Sequence, residues 1–143
     1  LLAENLNIPF YDGDDFHPAE NKQKMQSGIP LNDEDRYPWL TSLNAVAKES
    51  VEQKGCVIAC SALKESYRKI LMHGVADLVH WFLLEGEFDH IKNRLQERQM
   101  HFMPALLLQS QFDTLEIPSY AMHISIDAEP ADIVKSIINE LEY

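Results

Sequence analysis

The apolar residues of the chain follow two different periods, which alternate along its length. Four short runs have the β-branched, apolar or alternating pattern of strands in a sheet, and they lie at 8–11, 56–60, 79–84 and 122–126. Around these runs, apolar residues recur every three or four positions, as they do on one face of a helix. The helices are predicted at 1–6, 18–26, 33–53, 64–72, 88–95, 106–112 and 131–141.

Local signals place several helix ends. Ser27 and Gly28 follow a helical segment, and glycine is the usual residue past a helix end. Asn32 precedes three acids as a predicted N-cap, and Ser61 is the cap candidate for the helix that Gly74 ends. Strands that alternate with helices predict one α/β domain, a mostly parallel sheet with helices on both faces. Three aromatic side chains are assigned to its core, namely Trp39, Trp81 and Phe82.

The charge balance excludes some classes of partner. The chain has 23 acidic and 12 basic residues, a formal net charge of -11, so nucleic-acid phosphates would repel it. No apolar run approaches the roughly 18 residues of a membrane helix, so we expect no membrane span. Cys56 and Cys60 lie in a short apolar strand as small hydrophobes. With no signal peptide in view, they favour a reducing, cytoplasmic compartment.

Candidate chemistry is concentrated where the first strand ends, at 10–18. Three carboxylates, a glycine and an imidazole follow the strand, and open α/β sheets bind ligands at the carboxyl ends of their strands. Carboxylates there can hold Mg²⁺ through water or take a proton from an attacking hydroxyl. The alternative for each acid alone is a polar turn, with Asp15 capping a helix that begins at Pro18. Residues 61–64 end the next strand and should line the same crevice.

Four sequence blocks are more specific together than any one motif. They are FYDGDDFHP at 10–18, KMQSGIPLNDEDRYPWL at 24–40, ACSALKESYR at 59–68, and HFMP at 101–104 with QSQFDTLE at 109–116. In order and approximate spacing they resemble the signature blocks of the gluconate kinase family, a branch of the P-loop small-molecule kinases related to shikimate and nucleoside monophosphate kinases. The resemblance implies a three-layer P-loop kinase fold with a small helical lid at roughly 94–118.

The same resemblance implies an activity and roles for side chains. The activity is phosphorylation of gluconate at its 6-hydroxyl by ATP and Mg²⁺, in a cytoplasmic homodimer. Asp14 is the predicted catalytic residue, which deprotonates that hydroxyl, and Asp12 supports Mg²⁺ through water. The predicted substrate-binding residues, which supply cations for the acid group and hydrogen bonds for the hydroxyls, are His17, Arg36, Lys64, Arg68 and Gln111. The predicted nucleotide-binding residues of the lid are Arg94, Arg98 and His101.

Several of these assignments compete with a structural one. Lys64 and Arg68 lie four apart on one predicted helix face, and a solvated surface pair is the alternative to substrate binding. Arg94 and Arg98 also lie four apart and should project from one helix face. Salt bridges with neighbouring glutamates are the alternative to phosphate binding for those two. His17, beside a proline, could equally be a structural hydrogen-bonding residue.

The family's glycine-rich phosphate loop, G-x-x-x-x-G-K-[ST], does not occur in this sequence. We expect the loop and its strand just before Leu1, and we expect the sheet to have a gap at that strand's position. The short link between Pro118 and Met122 is a second departure from the family. The alternative functions are a non-catalytic sugar-acid-binding or dimerisation protein that has lost the loop, and a related small-molecule kinase such as a shikimate kinase.

Overall fold

The computed structural model describes residues 1–98 and 104–142, in which strands alternate with helices as predicted. The helices are α1 (Leu2–Leu6), α2 (Ala19–Gln26), α3 (Asp33–Val51), α4 (Glu65–Leu71), α5 (Phe88–Glu97), α6 (Ala105–Thr114) and α7 (Pro130–Leu141). The strands are β1 (Phe10–Asp12), β2 (Val57–Ala59), β3 (Phe82–Glu85) and β4 (Met122–Ser125). The helices in these two ranges include none that is both long and apolar enough to cross a bilayer. The predicted α/β class is confirmed.

The strands form two parallel pairs. In the first pair Phe10 of β1 lies opposite Val57 of β2. In the second, Phe82 of β3 lies opposite Met122 of β4. Because the strands of a pair run in the same direction, the polar residues that follow β1 and β2 emerge at one edge. The turn after β1 and the loop after β2 are therefore neighbours, as the crevice prediction requires.

A groove separates the two pairs, and we call it the central groove. Across the described residues, no ladder of hydrogen bonds joins β2 to β3. Residues of β3 line a cavity of about 490 Å³, and residues of both β2 and β3 line a second one of about 300 Å³; the two cavities share Cys60, Trp81 and Phe82 as lining residues. Trp81 and Phe82 are both half-buried; Trp81 packs against the edge of the buried core, as predicted, and Phe82 lines the groove. The Nε1 atom of Trp81 is buried and has no hydrogen-bond partner among residues 1–98 and 104–142.

The core lies between α3 and α4. Trp39, Leu40 and Leu43 of α3 are fully buried, and Tyr67 and Leu71 of α4 pack in the same cluster. The predicted burial of Trp39 is confirmed. Since α3 carries the buried tryptophan and also begins beside the turn that follows β1, the core fixes the position of that turn.

The helix caps follow the sequence in part. Asn32 caps α3 in a reciprocal capping box: its side chain accepts from the N–H of Asp35, whose carboxylate accepts from the N–H of Asn32. The Ser27–Gly28 ending of α2 is also as predicted, with Gly28 at a φ of 76°. Ser61 is not the cap of α4; Lys64 occupies that position and makes no side-chain capping bond.

Candidate active site

The turn after β1 holds the acidic cluster in place. Residues Gly13–Phe16 form a 3-10 turn, and the carboxylate of Asp12 caps it by accepting a 3.0 Å hydrogen bond from the N–H of Asp14. The indole of Trp39 donates a 2.6 Å bond to the Gly13 carbonyl. A Cβ atom at Gly13 would lie 2.7 Å from the Ala59 carbonyl oxygen, so only glycine allows this approach of the turn to β2. The alternative in which Asp15 caps α2 is wrong, because Pro18 is the N-cap residue and has no side-chain bond.

A cleft of about 680 Å³ opens beside this turn. One side is the turn with α2 and α3, and the other is α5 and α6. Of the predicted site residues, six line it: Asp12, Asp14, His17, Arg36, Arg98 and Gln111. Ser61 also lines the cleft but Lys64 does not, so residues 61–64 reach the predicted crevice only at their beginning.

His17 is held tightly at the cleft wall. Its ring stacks on Trp39 with centroids 4.1 Å apart and an angle of 17° between the planes. Its Nδ1 lies 3.2 Å from the side-chain Nδ2 of Asn21, and only 7% of the residue is exposed. Burial, followed by the positive charges of Arg36 and Lys22, lowers the pKa of His17 to about 4. The imidazole is therefore neutral near pH 7.

Arg36 is positioned by a chain of polar contacts that reaches α4. Its guanidinium donates a 2.7 Å bond to the Tyr67 hydroxyl, which in turn donates to the carboxylate of Asp33. Lys64 pairs with the same carboxylate at 3.3 Å. The hydrogen bond from Tyr67, and then that from Lys64, lower the pKa of Asp33. Lys64 thus contacts Asp33 and does not line the cleft, whereas Arg36 lines the cleft and reaches Asp33 only through Tyr67.

Arg68 has a different environment from the predicted one. The side chain is 2% exposed, and its guanidinium donates 2.7 Å bonds to the carbonyls of Ala62 and Glu116 and a 3.0 Å bond to the carboxylate of Glu65. Most of its donors are therefore satisfied inside the protein, and the residue lines the central groove, not the cleft. The structure therefore places Arg68 outside the cleft with internal partners, and its action as a clamp on a substrate carboxylate stays a prediction.

The two lid arginines diverge. Helix α5 ends at Glu97, and Arg98 follows it in an extended conformation that lines the cleft. Arg94 donates a 3.0 Å bond to the carbonyl of Ile126, at the end of β4. The prediction that both project from one helix face is wrong because the helix stops before Arg98. His101 lies outside the described residues.

Sequence reasoning missed three side chains that shape the cleft. Lys22 lines it, Tyr67 holds Arg36, and Asn21 holds His17. Asn21 follows His17 by four residues at the start of a predicted helix, and this spacing could have identified the pair. Tyr67 lies 31 residues from Arg36, so no local pattern identifies that contact.

Comparisons with known proteins give the family. The shikimate kinase family profile matches residues 1–142. The chain is 42% identical over 161 aligned positions to a probable gluconokinase of Xenopus tropicalis, with 99% of this chain and 84% of that protein covered. It is 46% identical over 140 positions to the thermosensitive gluconokinase of Escherichia coli (strain K12), with 96% and 70% covered.

Solved structures agree with these sequence relatives. A gluconokinase from Sinorhizobium meliloti 1021 superposes with a TM-score of 0.84 at 37% identity, covering 99% of this chain and 81% of that one. A sugar kinase from Janibacter sp. HTCC2649 has a TM-score of 0.87 at 38% identity, covering 99% and 83%. The sequence blocks that resembled the family also supply most of the cleft. The chain therefore belongs to the gluconokinase family of P-loop small-molecule kinases.

Proposed function

We propose that the protein catalyses the ATP-dependent phosphorylation of D-gluconate at its 6-hydroxyl, giving 6-phospho-D-gluconate. The names of its relatives support the choice of substrate. The observation that carries the proposal is the cleft itself, which brings together the carboxylate of Asp14, the imidazole of His17 and the guanidinium of Arg36. Phosphorylation of a polyol acid requires a base for the attacking hydroxyl, a hydrogen-bonding group for the other hydroxyls and a cation for the acid group.

The cleft residues have separate tasks in this proposal. Phosphoryl transfer depends mainly on positioning and charge neutralisation, together with a base near the attacking oxygen. Asp14 orients the 6-hydroxyl and takes its proton as the oxygen attacks the γ-phosphorus of ATP. Arg36, held by Tyr67, binds the gluconate carboxylate. His17 and Gln111 bind hydroxyls along the polyol. Lys64 and Arg68 have no direct task in the cleft.

The carboxylates of the turn after β1 could bind a magnesium ion together with the phosphates of ATP. Asp12 and Asp14 offer carboxylate oxygens, and Mg²⁺ usually binds one or two carboxylates together with substrate phosphates and water. In residues 1–98 and 104–142, no group of three acid, histidine or cysteine side chains is arranged to hold a metal alone. A bound Mg²⁺ supplies neutralisation of phosphate charge. We propose that Asp12 supports it through water and that Arg98 faces the same phosphates from across the cleft.

We further propose that the strand bearing the phosphate loop occupies the central groove. In the part of the chain that the structure describes, no ladder joins the two strand pairs beside the groove, and the buried indole N–H of Trp81 there has no acceptor. An inserted strand could pair with both β2 and β3. The groove and the cleft share Cys60, Ser61 and Gln111 as lining residues, so a loop at the end of that strand would meet the cleft. Its backbone amides would then cradle the phosphates opposite Asp14.

A homodimer and a cytoplasmic location are proposed from the family resemblance. Light scattering on the purified protein tests the first, because a dimer has twice the mass of the chain. Localisation of a fluorescently tagged copy tests the second. Neither property enters the chemistry above, since every cleft residue named for it belongs to one chain.

A substrate panel tests the proposed function. ADP release by the whole protein is measured with ATP and Mg²⁺ in the presence of gluconate, shikimate or a nucleoside monophosphate. We expect ADP formation that depends on gluconate, with 6-phosphogluconate as the product. Turnover of shikimate or of the nucleotide without turnover of gluconate would contradict the substrate assignment.

A further inference from the structure

A buried asparagine, Asn21, contacts the ring of His17 at the wall of the cleft. The residue lies in α2, is 3% exposed, and makes two hydrogen bonds from one side-chain nitrogen. Nδ2 donates a 2.8 Å bond to the backbone carbonyl of Asp35 and lies 3.2 Å from Nδ1 of His17. A carbonyl only accepts, so the amide nitrogen, and not the amide oxygen, must face Asp35. The same nitrogen therefore directs its second N–H at His17.

Asp35, whose backbone carbonyl accepts the bond from Asn21, is itself held in place by its side chain. Its carboxylate receives the N–H of Asn32 at 3.0 Å, within the capping box of α3. Lys24 of α2 donates to both carboxylate oxygens at 2.9 Å. Hydrogen bonds from Asn21 and Lys24 to Asp35 thus join α2 to the start of α3. The amide of Asn21 has no freedom to rotate without losing the bond to the Asp35 carbonyl.

The consequence concerns the two ring nitrogens of His17. Because Nδ1 receives a hydrogen bond from Asn21, it cannot carry a proton, and the neutral ring must be protonated at Nε2. Within the described residues Nε2 makes no hydrogen bond, and His17 lines the cleft. The charged groups near the ring are Lys22 of α2 and Arg36 of α3, both cationic, with Asp14 and Asp15 of the preceding turn on the same cleft.

We infer that Asn21 is a positioning residue that fixes His17 in the Nε2–H tautomer, so that His17 donates a hydrogen bond to a hydroxyl oxygen of the substrate. The inference rests on the proposed function, since it names a contact in the gluconate site. At this point of the cleft, the inference makes His17 the hydrogen-bond donor and the substrate hydroxyl the acceptor. A polyol hydroxyl that accepts from His17 keeps its own proton free for another partner.

The test replaces Asn21 with aspartate, a side chain of nearly the same shape that accepts and cannot donate. In Asn21→Asp, the carboxylate faces Nδ1 and draws a proton to it. Nitrogen-15 NMR of histidine-labelled whole protein distinguishes a protonated ring nitrogen from a bare one, and the loss of a signal in His17→Asn assigns the ring. We expect bare Nδ1 and protonated Nε2 in the wild type at pH 7, and protonated Nδ1 in Asn21→Asp.

Kinetics supply the second measurement. We expect the KM for gluconate to rise about tenfold in Asn21→Asp, the effect of one lost hydrogen bond in a binding site, with the KM for ATP unchanged. Gln23→Glu, an exposed position on the same helix, adds the same charge and is the control that should change neither. A merely structural role would lower the amount of folded protein without this division between the two KM values.

Two results would overturn the inference. One is a wild-type ring with its proton on Nδ1, a measurement that requires no variant to fold. The other is an Asn21→Asp protein with the proton moved to Nδ1 and an unchanged KM for gluconate. If the protein does not phosphorylate gluconate at all, the proposed function fails and the substrate contact fails with it. The tautomer spectrum would still show whether Asn21 fixes the ring.

Discussion

At the scale of single residues, Asp14 is the group on which the chemistry depends. Asp14→Asn keeps the shape of the side chain but cannot take a proton, so we expect kcat to fall by about 10²–10⁴-fold with a much smaller change in the KM for gluconate. Steady-state kinetics measure both. Asp15→Asn removes the same charge from the same cleft and should lower kcat far less. Equal losses in the two variants would show a general charge effect and would remove Asp14 from its role as base.

His17 is expected to shape the dependence of stability on pH. Its pKa is lowered to about 4 in the folded protein, so between pH 6.5 and 4 the unfolded chain binds the additional proton. The free energy of unfolding should therefore fall as the pH drops through this window, by up to about 1.4 kcal/mol per pH unit. His123 acts in the opposite sense, because its hydrogen bond to the Pro118 carbonyl raises its pKa.

The variant His17→Asn isolates this contribution. Asparagine retains an acceptor for Asn21 but does not titrate, whereas His123 is present in both proteins. Urea unfolding at pH 4.5, 5.5 and 6.5 should show a shallower loss of stability in the variant than in the wild type. Parallel profiles would mean that burial does not suppress protonation of His17.

The sequence predicts some residues of the cleft and not others. The acids and the histidine of the cleft follow directly from a strand that ends in Asp-Gly-Asp, since that pattern fixes their place at the edge of the sheet. Arg36 and Arg68 look alike in sequence, yet one lines the cleft and the other binds backbone carbonyls. The sequence does not show whether an arginine binds a ligand or binds carbonyls that are distant in the chain. The loop that supplies those carbonyls is placed by tertiary packing, which leaves no local pattern.

At the scale of elements, Arg68 connects α4 to the segment that follows α6. Its bond to the carbonyl of Ala62 is local, whereas its bond to the carbonyl of Glu116 joins residues 48 positions apart. Arg68→Ala leaves these partly buried carbonyls without the donor that the buried arginine supplies, and we expect a loss of about 2–4 kcal/mol in the free energy of unfolding. Chemical denaturation measures it. Lys69→Ala, exposed on the same helix, should change stability by no more than about 0.5 kcal/mol. A stable Arg68→Ala protein with a raised KM for gluconate would restore Arg68 to the substrate site.

Elements with local signals were predictable, and elements set by tertiary contacts were less so. The start of α3 follows from its capping box, which involves residues only three apart. The strands are shorter than their apolar runs; β3 begins at Phe82, after a 3-10 turn over Ala76–Leu78 that the run from 79 did not reveal. Apolar character alone does not show which residues of a run pair in a ladder.

At the scale of the whole molecule, the central groove is expected to control nucleotide binding. The polypeptide of residues 1–143, produced alone, should fold with reduced stability and bind ATP weakly. The same polypeptide preceded by a strand and a G-x-x-x-x-G-K-[ST] loop should be more stable and bind ATP at least about tenfold more tightly, because backbone amides and a lysine then face the phosphates. Calorimetric titration with ATP and Mg²⁺ compares the two. Equal micromolar binding by both would contradict the placement of the nucleotide site at the groove.

The central claim is that gluconate binds in the cleft between the acidic turn and α5–α6, and the two tryptophans of the chain test it most directly. Trp39 lies beneath His17 at the cleft, and Trp81 lines the central groove. A ¹H–¹⁵N NMR titration of the whole protein with gluconate follows both indole N–H signals, with Trp81→Phe providing the assignment. The account predicts a saturable shift of the Trp39 signal and little change at Trp81. A saturable shift of Trp81 with Trp39 unmoved would contradict it.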